Sequence, residues 1–248
     1  MISHTYEAGL RGKLATFNNE SILEWTAGVF RTENEDDIIT VASTSNGRGY
    51  FKNAGETLRQ GLELGAQYHD RRLMLYSNYA YIDATFQTAN ILSSPDNPAG
   101  FECIPGNPDA GNCIQVNPGS RLPGVPRHRF KTGFDYWLTP QWKFGSDLVS
   151  VSDQVFFGDE ANLTPPLAGY TVVNIHSSYD ITKNIQIYGL VNNVFDTHYG
   201  LFGNYFNLAA ANNAASADPS TGAGFFTNPR TITPGAPLAA YGGLKLRF

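Results

Sequence analysis

Apolar and polar side chains alternate along many stretches of the chain, and the alternation is clearest at its C-terminal end. One set of alternate positions after Pro237 is apolar and consists of Leu238, Ala240, Gly242, Leu244, Leu246 and Phe248. The other set contains Ala239, Tyr241, Gly243, Lys245 and Arg247. Because successive side chains of a β-strand point to opposite faces of the sheet, this pattern predicts a strand with one apolar face. The last strand of a soluble β-sandwich can show the same alternation, so this segment alone leaves both classes open.

The same period of two, interrupted by turn residues, predicts about nine strands in the whole chain. They are expected at residues 4–14, 21–31, 58–68, 73–86, 127–138, 142–156, 169–181, 184–199 and 237–248. Short connections, near residues 16–19, 69–71, 139–141 and 182–183, alternate with long ones that reach residues 56, 126, 168 and 236. Transmembrane β-barrels place short turns on the periplasmic side and long loops outside, whereas a sandwich has no reason to sort its loops. The sorting therefore favours an all-β fold, part of an antiparallel up-and-down transmembrane β-barrel.

The two faces of individual strands agree with such a barrel. In the strand at 127–138, one face carries His128, Phe130, Thr132, Phe134, Tyr136 and Leu138, and the other carries Arg127, Arg129, Lys131, Gly133, Asp135 and Trp137. The first strand opposes Tyr6, Ala8, Leu10, Gly12 and Leu14 to Glu7, Gly9, Arg11 and Lys13, and the third opposes Leu58, Leu62, Leu64, Ala66 and Tyr68 to Arg59, Glu63 and Gln67. A charge that faces lipid near the bilayer midplane costs about 2–4 kcal/mol, so the charged faces are expected to line the lumen.

Two features of the faces stay open at this point. Both faces of the strand at 73–86 carry large apolar residues, so its orientation is not assigned. Trp25, Trp142, Tyr136 and Tyr179 are candidates for the aromatic girdles at the membrane interfaces, with ordinary packing within the sheet as the alternative.

Composition supports the all-β prediction and argues against several classes of protein. The 248 residues include 16 Phe, 13 Tyr, 3 Trp and 25 Gly, which favours strands and turns. A mean hydropathy of -0.26 and the lack of a long apolar run exclude a transmembrane helix. The net charge of -5, without a cluster of Lys and Arg, argues against a nucleic-acid partner.

The sequence contains no constellation that indicates an enzyme. The five histidines, His4, His69, His128, His176 and His198, are scattered without metal-ligand spacing, and the HExxH, GxSxG and P-loop motifs are absent. We therefore predict no catalytic residue, no cofactor and no metal site. The acidic pairs Asp36–Asp37 and Asp159–Glu160 lie in long loops, where solvated charge is expected rather than calcium binding.

The N-terminal segment lacks the features of an export signal. Met1 is followed by the polar, strand-like run 3–14, without a positively charged start, an apolar stretch or a cleavage site. Since the other features point outside the cytoplasm, we expect the chain to be the C-terminal piece of a longer polypeptide.

Four segments resemble signature sequences of the TonB-dependent outer-membrane receptors. Residues 53–64 (NAGETLRQGLEL) resemble the family's NAG-x-T-x-x-x-G-x-E segment, and residues 191–199 (VNNVFDTHY) resemble its x-NN-[LVI]-FD-x-x-Y segment. Residues 121–128 (RLPGVPRH) and 6–11 (YEAGLR) resemble motifs of its siderophore-receptor branch. The residues of the family signature are Asn53, Gly55, Gly61, Glu63, Asn192, Asn193, Phe195, Asp196, Tyr199 and Phe248. Backbone freedom at the glycines and local hydrogen bonds at the strand end are a structural explanation for the same residues.

The resemblance implies that residues 1–248 are the last nine strands of a 22-stranded barrel, without a plug domain or a signal peptide. It implies an outer-membrane receptor of a Gram-negative bacterium for energised uptake of a ferric chelate such as a siderophore. The implied partners are outer-membrane lipids, the ferric chelate, the TonB complex through the missing N-terminal region only, and the barrel assembly machinery through Phe248. The alternatives are a passive porin or structural outer-membrane barrel, a soluble adhesive β-domain, and TonB-dependent uptake of a non-iron ligand.

The long loops and the upper lumen are the candidate ligand site. Aromatic and cationic side chains suit an anionic metal chelate, and the candidates are Arg121, Arg127, Phe202, Tyr205, Phe206, Phe225, Phe226 and Arg230. The alternative is that these aromatic residues pack the loops against one another.

Two further expectations concern the chain as an isolated piece. Cys103 and Cys113, with nine residues between them in a loop rich in Pro, Gly and Asn, predict one disulfide worth roughly 2.5–3 kcal/mol. Nine strands also leave two open edges, so the isolated chain is expected to be an open curved sheet or a strained small closure that aggregates without detergent.

Overall fold

The computed structural model describes residues 1–16, 21–42, 49–107, 111–205 and 228–248. All regular structure in these residues is β-sheet. The strands are β1 (Ile2–Thr16), β2 (Ser21–Glu35), β3 (Ile38–Ala42), β4 (Gly49–Asn53), β5 (Thr57–His69), β6 (Leu73–Phe86), β7 (Asn90–Ser93), β8 (Phe101–Glu102), β9 (Asn112–Val116), β10 (His128–Trp137), β11 (Trp142–Val151), β12 (Tyr170–Asp180), β13 (Ile185–Asn192), β14 (Gly200–Tyr205), β15 (Arg230–Pro234) and β16 (Ala239–Leu246). In the described part of the chain, no helix has the length and apolar character needed to cross a membrane.

Nine of these strands form the main sheet, in the order β1-β2-β5-β6-β10-β11-β12-β13-β16. Every neighbouring pair is antiparallel, and the pairings follow chain order. Within the described residues the sheet is open, with β1 at one edge and β16 at the other. The prediction of nine antiparallel up-and-down strands in an open sheet is therefore confirmed.

The register brings the apolar faces of successive strands onto one side of the main sheet. Leu10 lies opposite Ala27, which lies opposite Leu64 on the next strand. Leu64 in turn lies opposite Tyr79, and Tyr79 opposite Phe130. We call this side the apolar face and the other side the charged face.

The register also assigns β6, whose faces the alternation left open. Leu75 lies opposite Tyr68 and Phe134, and Leu73 lies opposite Tyr136. Both flanking strands have their apolar faces at these positions. Leu73, Leu75, Tyr79 and Tyr81 therefore belong to the apolar face, and Met74, Tyr76 and Asn78 to the charged face.

The short turns of the main sheet are closed by side-chain acceptors. Asp70 Oδ1 accepts hydrogen bonds from the backbone N–H groups of Arg72 at 2.7 Å and Leu73 at 2.8 Å. Thr139 Oγ1 accepts from Trp142 N at 3.1 Å, and Thr182 Oγ1 accepts from Ile185 N at 3.1 Å. Such local bonds fix the turn and so the register of the strands on either side.

The long connections, which the alternation predicted as loops, contain seven further strands. β3 pairs with β4, β14 pairs with β15, and β9 lies between β7 and β8. We call the described residues of these connections the loop layer, and they are 36–42, 49–56, 87–107, 111–127, 152–169, 193–199, 200–205 and 228–238. These strands have six residues or fewer and lie in segments rich in turn residues, so their alternation is too short to be recognised.

Two predicted strands end earlier than expected. The strand predicted to reach residue 199 ends at Asn192, because Asn193 and Asp196 adopt φ angles of 52° and 49°, in the left-handed region. The strand predicted to reach residue 156 ends at Val151. After Val151 the chain leaves the main sheet. Gln154 and Leu167 of the following connection instead pair with each other, through backbone hydrogen bonds of 3.1 and 2.8 Å.

The packed core lies in the loop layer and at the adjoining end of β6. Its buried members are Val41, Ala54, Ala84, Phe86, Leu92, Ile114, Val116 and Leu122. A second cluster consists of Phe156, Leu167 and Tyr205. The apolar face of the main sheet, by contrast, is exposed, as at Leu10 with 72% exposure.

Candidate functional site

The predicted ligand residues of β14 and β15 lie together in the loop layer. The ring of Phe202 stacks on that of Phe157, with centroids 4.9 Å apart. The buried Tyr205 packs on Phe156, and the Arg230 guanidinium lies 5.1 Å from the Phe156 ring centroid and donates from Nε to Tyr205 Oη at 3.3 Å. Phe206, Phe225 and Phe226 lie outside the described residues. Phe202, Tyr205 and Arg230 therefore each contact an aromatic ring of the loop layer.

The two other predicted cationic residues are each paired with a carboxylate. Arg121 Nη1 lies 2.6 Å from Asp153 Oδ2, and its Nη2 donates to the Asp153 carbonyl at 3.0 Å. Arg127 Nη2 lies 3.1 Å from Asp83 Oδ1. Arg121 joins two segments of the loop layer, whereas Arg127 holds the loop layer to β6. The role of both arginines toward a ligand stays a prediction.

A cavity of about 350 Å³ opens where three long connections and β14 meet. Its lining residues are Thr40, Val41, Gly49, Ser94, Asp96, Phe157, Gly158, Glu160, Phe202, Asn204 and Tyr205. No local pattern in the sequence indicates this cavity, because its lining residues lie up to about 165 positions apart in the chain. Only tertiary packing brings these residues together.

Hydrogen bonds hold the segment at Gly158 against the loop that carries Ser94. The Gly158 carbonyl accepts from Ser94 Oγ at 2.5 Å and from Asn97 Nδ2 at 2.8 Å. Gly158 has a φ of 86°, which a residue with a side chain rarely adopts. The backbone of Phe157 also exchanges hydrogen bonds with Gly203 and Tyr205 of β14. This wall of the cavity is thus fixed from two sides.

The acidic pair Asp159–Glu160 is buried, so the expectation of solvated charge there is wrong. Asp159 is 1% exposed and accepts hydrogen bonds from Leu163 N, Thr164 N, Thr164 Oγ1 and Asn97 Nδ2. Glu160 is 6% exposed and accepts from Gly158 N at 3.0 Å. Burial raises the pKa of the Glu160 carboxyl, and the neighbouring Asp159 adds to the increase. Asp159 shapes the loop, whereas Glu160 lines the cavity.

Asp37 of the other acidic pair is also buried, and it organises the signature segment that begins at Asn53. Asp37 Oδ2 accepts from Thr57 Oγ1 at 2.5 Å and lies 3.1 Å from Arg59 Nη2. The backbones of Asp37 and Gly55 are joined by a 2.9 Å hydrogen bond. Gly55 has a φ of 74°, and a Cβ atom there would overlap Thr88. The segment therefore closes the base of the loop above β2 and β5.

The second signature segment closes the end of β13. Asn193 is 1% exposed, and its side chain donates to the carbonyls of Thr197 at 2.9 Å and Ala236 at 3.0 Å. Asp196 Oδ1 accepts from Leu238 N at 3.0 Å, just before β16. These bonds join the two ends of the last long connection. The amide and carboxylate thus have a structural role at the strand end.

The remaining loop-layer feature is a disulfide between Cys103 and Cys113. Cys113 lies in β9 and Cys103 directly follows β8, so the bond joins the two strands at one end of the three-stranded sheet.

A family model described as the β-barrel of TonB-dependent receptors matches residues 1–194. The chain is 28% identical over 199 residues to the metal-pseudopaline receptor CntO of Pseudomonas aeruginosa, an alignment that covers 78% of this chain and 23% of the relative. It is 26% identical over 201 residues to the vitamin B12 transporter BtuB of Photobacterium profundum, covering 79% of this chain and 27% of the relative.

Solved receptor structures share the fold. The ferric yersiniabactin uptake receptor FyuA of Yersinia pestis aligns with a TM-score of 0.65 at 18% identity, over 99% of this chain and 30% of the receptor. The siderophore receptor PiuA of Acinetobacter baumannii aligns with a TM-score of 0.64 at 18% identity, over 98% of this chain and 28% of the receptor.

The chain belongs to the TonB-dependent receptor family and forms part of its β-barrel domain. This family lies in the outer membrane of Gram-negative bacteria, and its members are receptors and transporters rather than enzymes. The chain spans about a quarter of the length of the curated relatives it matches.

Proposed function

We propose that the chain is the C-terminal part of the barrel of a longer outer-membrane receptor, which takes up a ferric chelate such as a siderophore by energised transport. The observation that carries the proposal is the loop layer, which is built entirely at one end of the nine-stranded sheet and contains a packed core and a cavity. A passive wall of strands does not require such a layer. Transport itself would depend on parts of the polypeptide outside these residues.

The direction of the edge strands supports a longer polypeptide. Because each of the nine strands is antiparallel to its neighbour, β1 and β16 run in the same direction. Pairing β16 with β1, in one copy or between two copies with the same orientation, would give a parallel contact, whereas these barrels are antiparallel throughout. A closed barrel in which every neighbouring pair is antiparallel needs an odd number of strands in addition to these nine. The edges are therefore suited to further strands of the same polypeptide.

The proposed partners follow from this placement. The apolar face would contact outer-membrane lipids, and the exposed Phe248 would be recognised by the barrel assembly machinery. The TonB complex would act through a region outside this chain. The ligand class rests on the relatives, which include a metal-pseudopaline receptor and a vitamin B12 transporter.

Accumulation of radioactive iron by a Gram-negative host without siderophore receptors of its own tests the proposal. The host would produce the complete reading frame that contains this chain, with a strain lacking TonB as the control. We expect accumulation from at least one ferric siderophore, and only when TonB is present. Accumulation that persists without TonB would favour a passive pore, and uptake of labelled vitamin B12 instead of iron would favour the non-iron ligand.

A further inference from the structure

The charge around the loop-layer cavity differs from the charge that an anionic ligand requires. Two carboxyl groups, those of Asp96 and Glu160, line the cavity, and its described lining contains no Lys, Arg or His. Arg121 and Arg127 are paired with aspartates outside the lining. Arg230 is also outside the lining, where its guanidinium lies over the Phe156 ring and donates to the hydroxyl of the lining residue Tyr205. The lining therefore attracts a positive group and disfavours a negative one.

Neither carboxyl group is neutralised by a cation in the described part of the chain. The pKa of Asp96 is raised by burial alone. The pKa of Glu160 is raised chiefly by burial, and only backbone N–H groups oppose this increase. A carboxylate removed from water without a countercharge is costly, and a bound cation would supply that countercharge.

The aromatic residues give the same cavity a surface for a carbon skeleton. Phe157 and Phe202 stack with ring planes 28° apart, and Tyr205 completes this side. Ring faces attract cations as well as apolar groups. The volume of about 350 Å³ is at the lower end of the range for small-molecule sites, about 300–1,000 Å³.

We propose that this cavity binds the ammonium end of an organic cation, with Asp96 and Glu160 facing the charge and with Phe157, Phe202 and Tyr205 packing on the carbon skeleton. The inference rests on the proposed receptor function, and it specifies a ligand, or a portion of one, that carries an amine. This cationic ligand differs from the anionic chelate that the basic and aromatic residues of the sequence predict.

Three probes of similar shape and different charge test the cavity: 2-phenylethylammonium, 2-phenylethanol and 3-phenylpropionate. Their affinities for the full chain in detergent would be measured by titration calorimetry at neutral pH. We expect the cation to bind at least about tenfold more tightly than the alcohol, and the carboxylate to bind most weakly. Equal or tighter binding of the carboxylate, or no binding of the cation, would overturn the proposal.

Charge-removing variants locate the binding. Asp96→Asn and Glu160→Gln should each reduce the affinity for the cation about five- to tenfold and leave that for the alcohol nearly unchanged. Glu56→Gln, at an exposed loop carboxylate outside the cavity, is the matched control and should change neither affinity. If Glu160→Gln fails to fold, Asp96→Asn decides alone, and an unchanged affinity in that variant rejects the cavity as the site.

The iron-accumulation assay separates this inference from the proposed function. Cation binding without TonB-dependent accumulation would reject the transport proposal and leave the cavity assignment standing. Accumulation by a receptor whose cavity fails to bind the cation would reject the cavity assignment alone.

Discussion

The loop layer and the main sheet are stabilised by different surroundings, although both consist of strands from the same chain. In the loop layer, Leu92, Ile114 and Val116 are 0% exposed, so this layer has a packed core within the described residues. In the main sheet, Leu10, Leu64 and Leu244 are 72%, 47% and 58% exposed on the apolar face. The loop layer excludes water by its own packing, whereas the main sheet needs lipid on one side.

The largest expected effect comes from the core of the loop layer. Leu92→Ala should lower the free energy of unfolding by about 2–5 kcal/mol, because it leaves a cavity that the surrounding residues cannot fill. Leu10→Ala on the exposed apolar face is the matched change and should cost much less. Denaturant unfolding in detergent micelles measures both variants. Equal losses of unfolding free energy in the two variants would show that the loop-layer core and the apolar face are packed alike.

The second prediction compares the two faces of the main sheet at one depth. Leu64 lies on the apolar face, and Asn78 lies on the charged face opposite the neighbouring Gly65. Leu64→Arg should cost about 2–4 kcal/mol in a bilayer, since it places a charge in lipid. Asn78→Arg should cost less than about 1 kcal/mol, because its charge stays on the charged face and meets only the like charge of Lys131 on the next strand. The yield of folded protein in lipid vesicles, titrated with urea, measures both, and the reverse order would contradict the assignment of the faces.

A smaller effect is expected from the hydrogen-bond network on the charged face. Asp135 Oδ2 lies 3.0 Å from Lys143 Nζ, Oδ1 lies 2.7 Å from His176 Nε2, and Tyr76 donates to Asp147 nearby. Asp135→Asn should destabilise the sheet by about 1–3 kcal/mol, because it weakens charged hydrogen bonds at a buried residue. Glu24→Gln removes the exposed ion pair with Lys13 and should cost about 0.2–1 kcal/mol. Thermal unfolding of both variants in detergent distinguishes the two sites.

The smallest effect concerns pH and a short turn. Backbone N–H groups of Arg72 and Leu73 lower the pKa of Asp70 below its ordinary value of 3.8. A lowered pKa in the folded state means that stability is present above the ordinary value and is lost as the pH falls through the folded-state pKa. Unfolding of the parent chain should therefore show a small acid-dependent loss in this range that Asp70→Asn lacks. The same acid dependence in both would assign the loss to other carboxyl groups.

Much of the main sheet could be predicted because its signal is local. The strand at 127–138 was assigned from its own side chains, and β10 runs from His128 to Trp137. β6 could not be assigned in the same way, since both of its faces are apolar, and only its register with β5 and β10 gives the answer. The chemistry of the side chains predicted that the ligand site lies in the long loops. It did not show which loop residues contact one another.

Local sequence patterns are sufficient to specify antiparallel membrane strands with short turns at one end and long connections at the other. That information is contained in alternation and turn residues, which act over a few positions. Tertiary contacts, by contrast, specify which long connections pack together, why Asp37, Asp159 and Glu160 are buried, and where the cavity lies. These features depend on contacts between residues far apart in the chain, such as those of Ser94 and Asn97 with Gly158. No local pattern specifies which distant segments will meet.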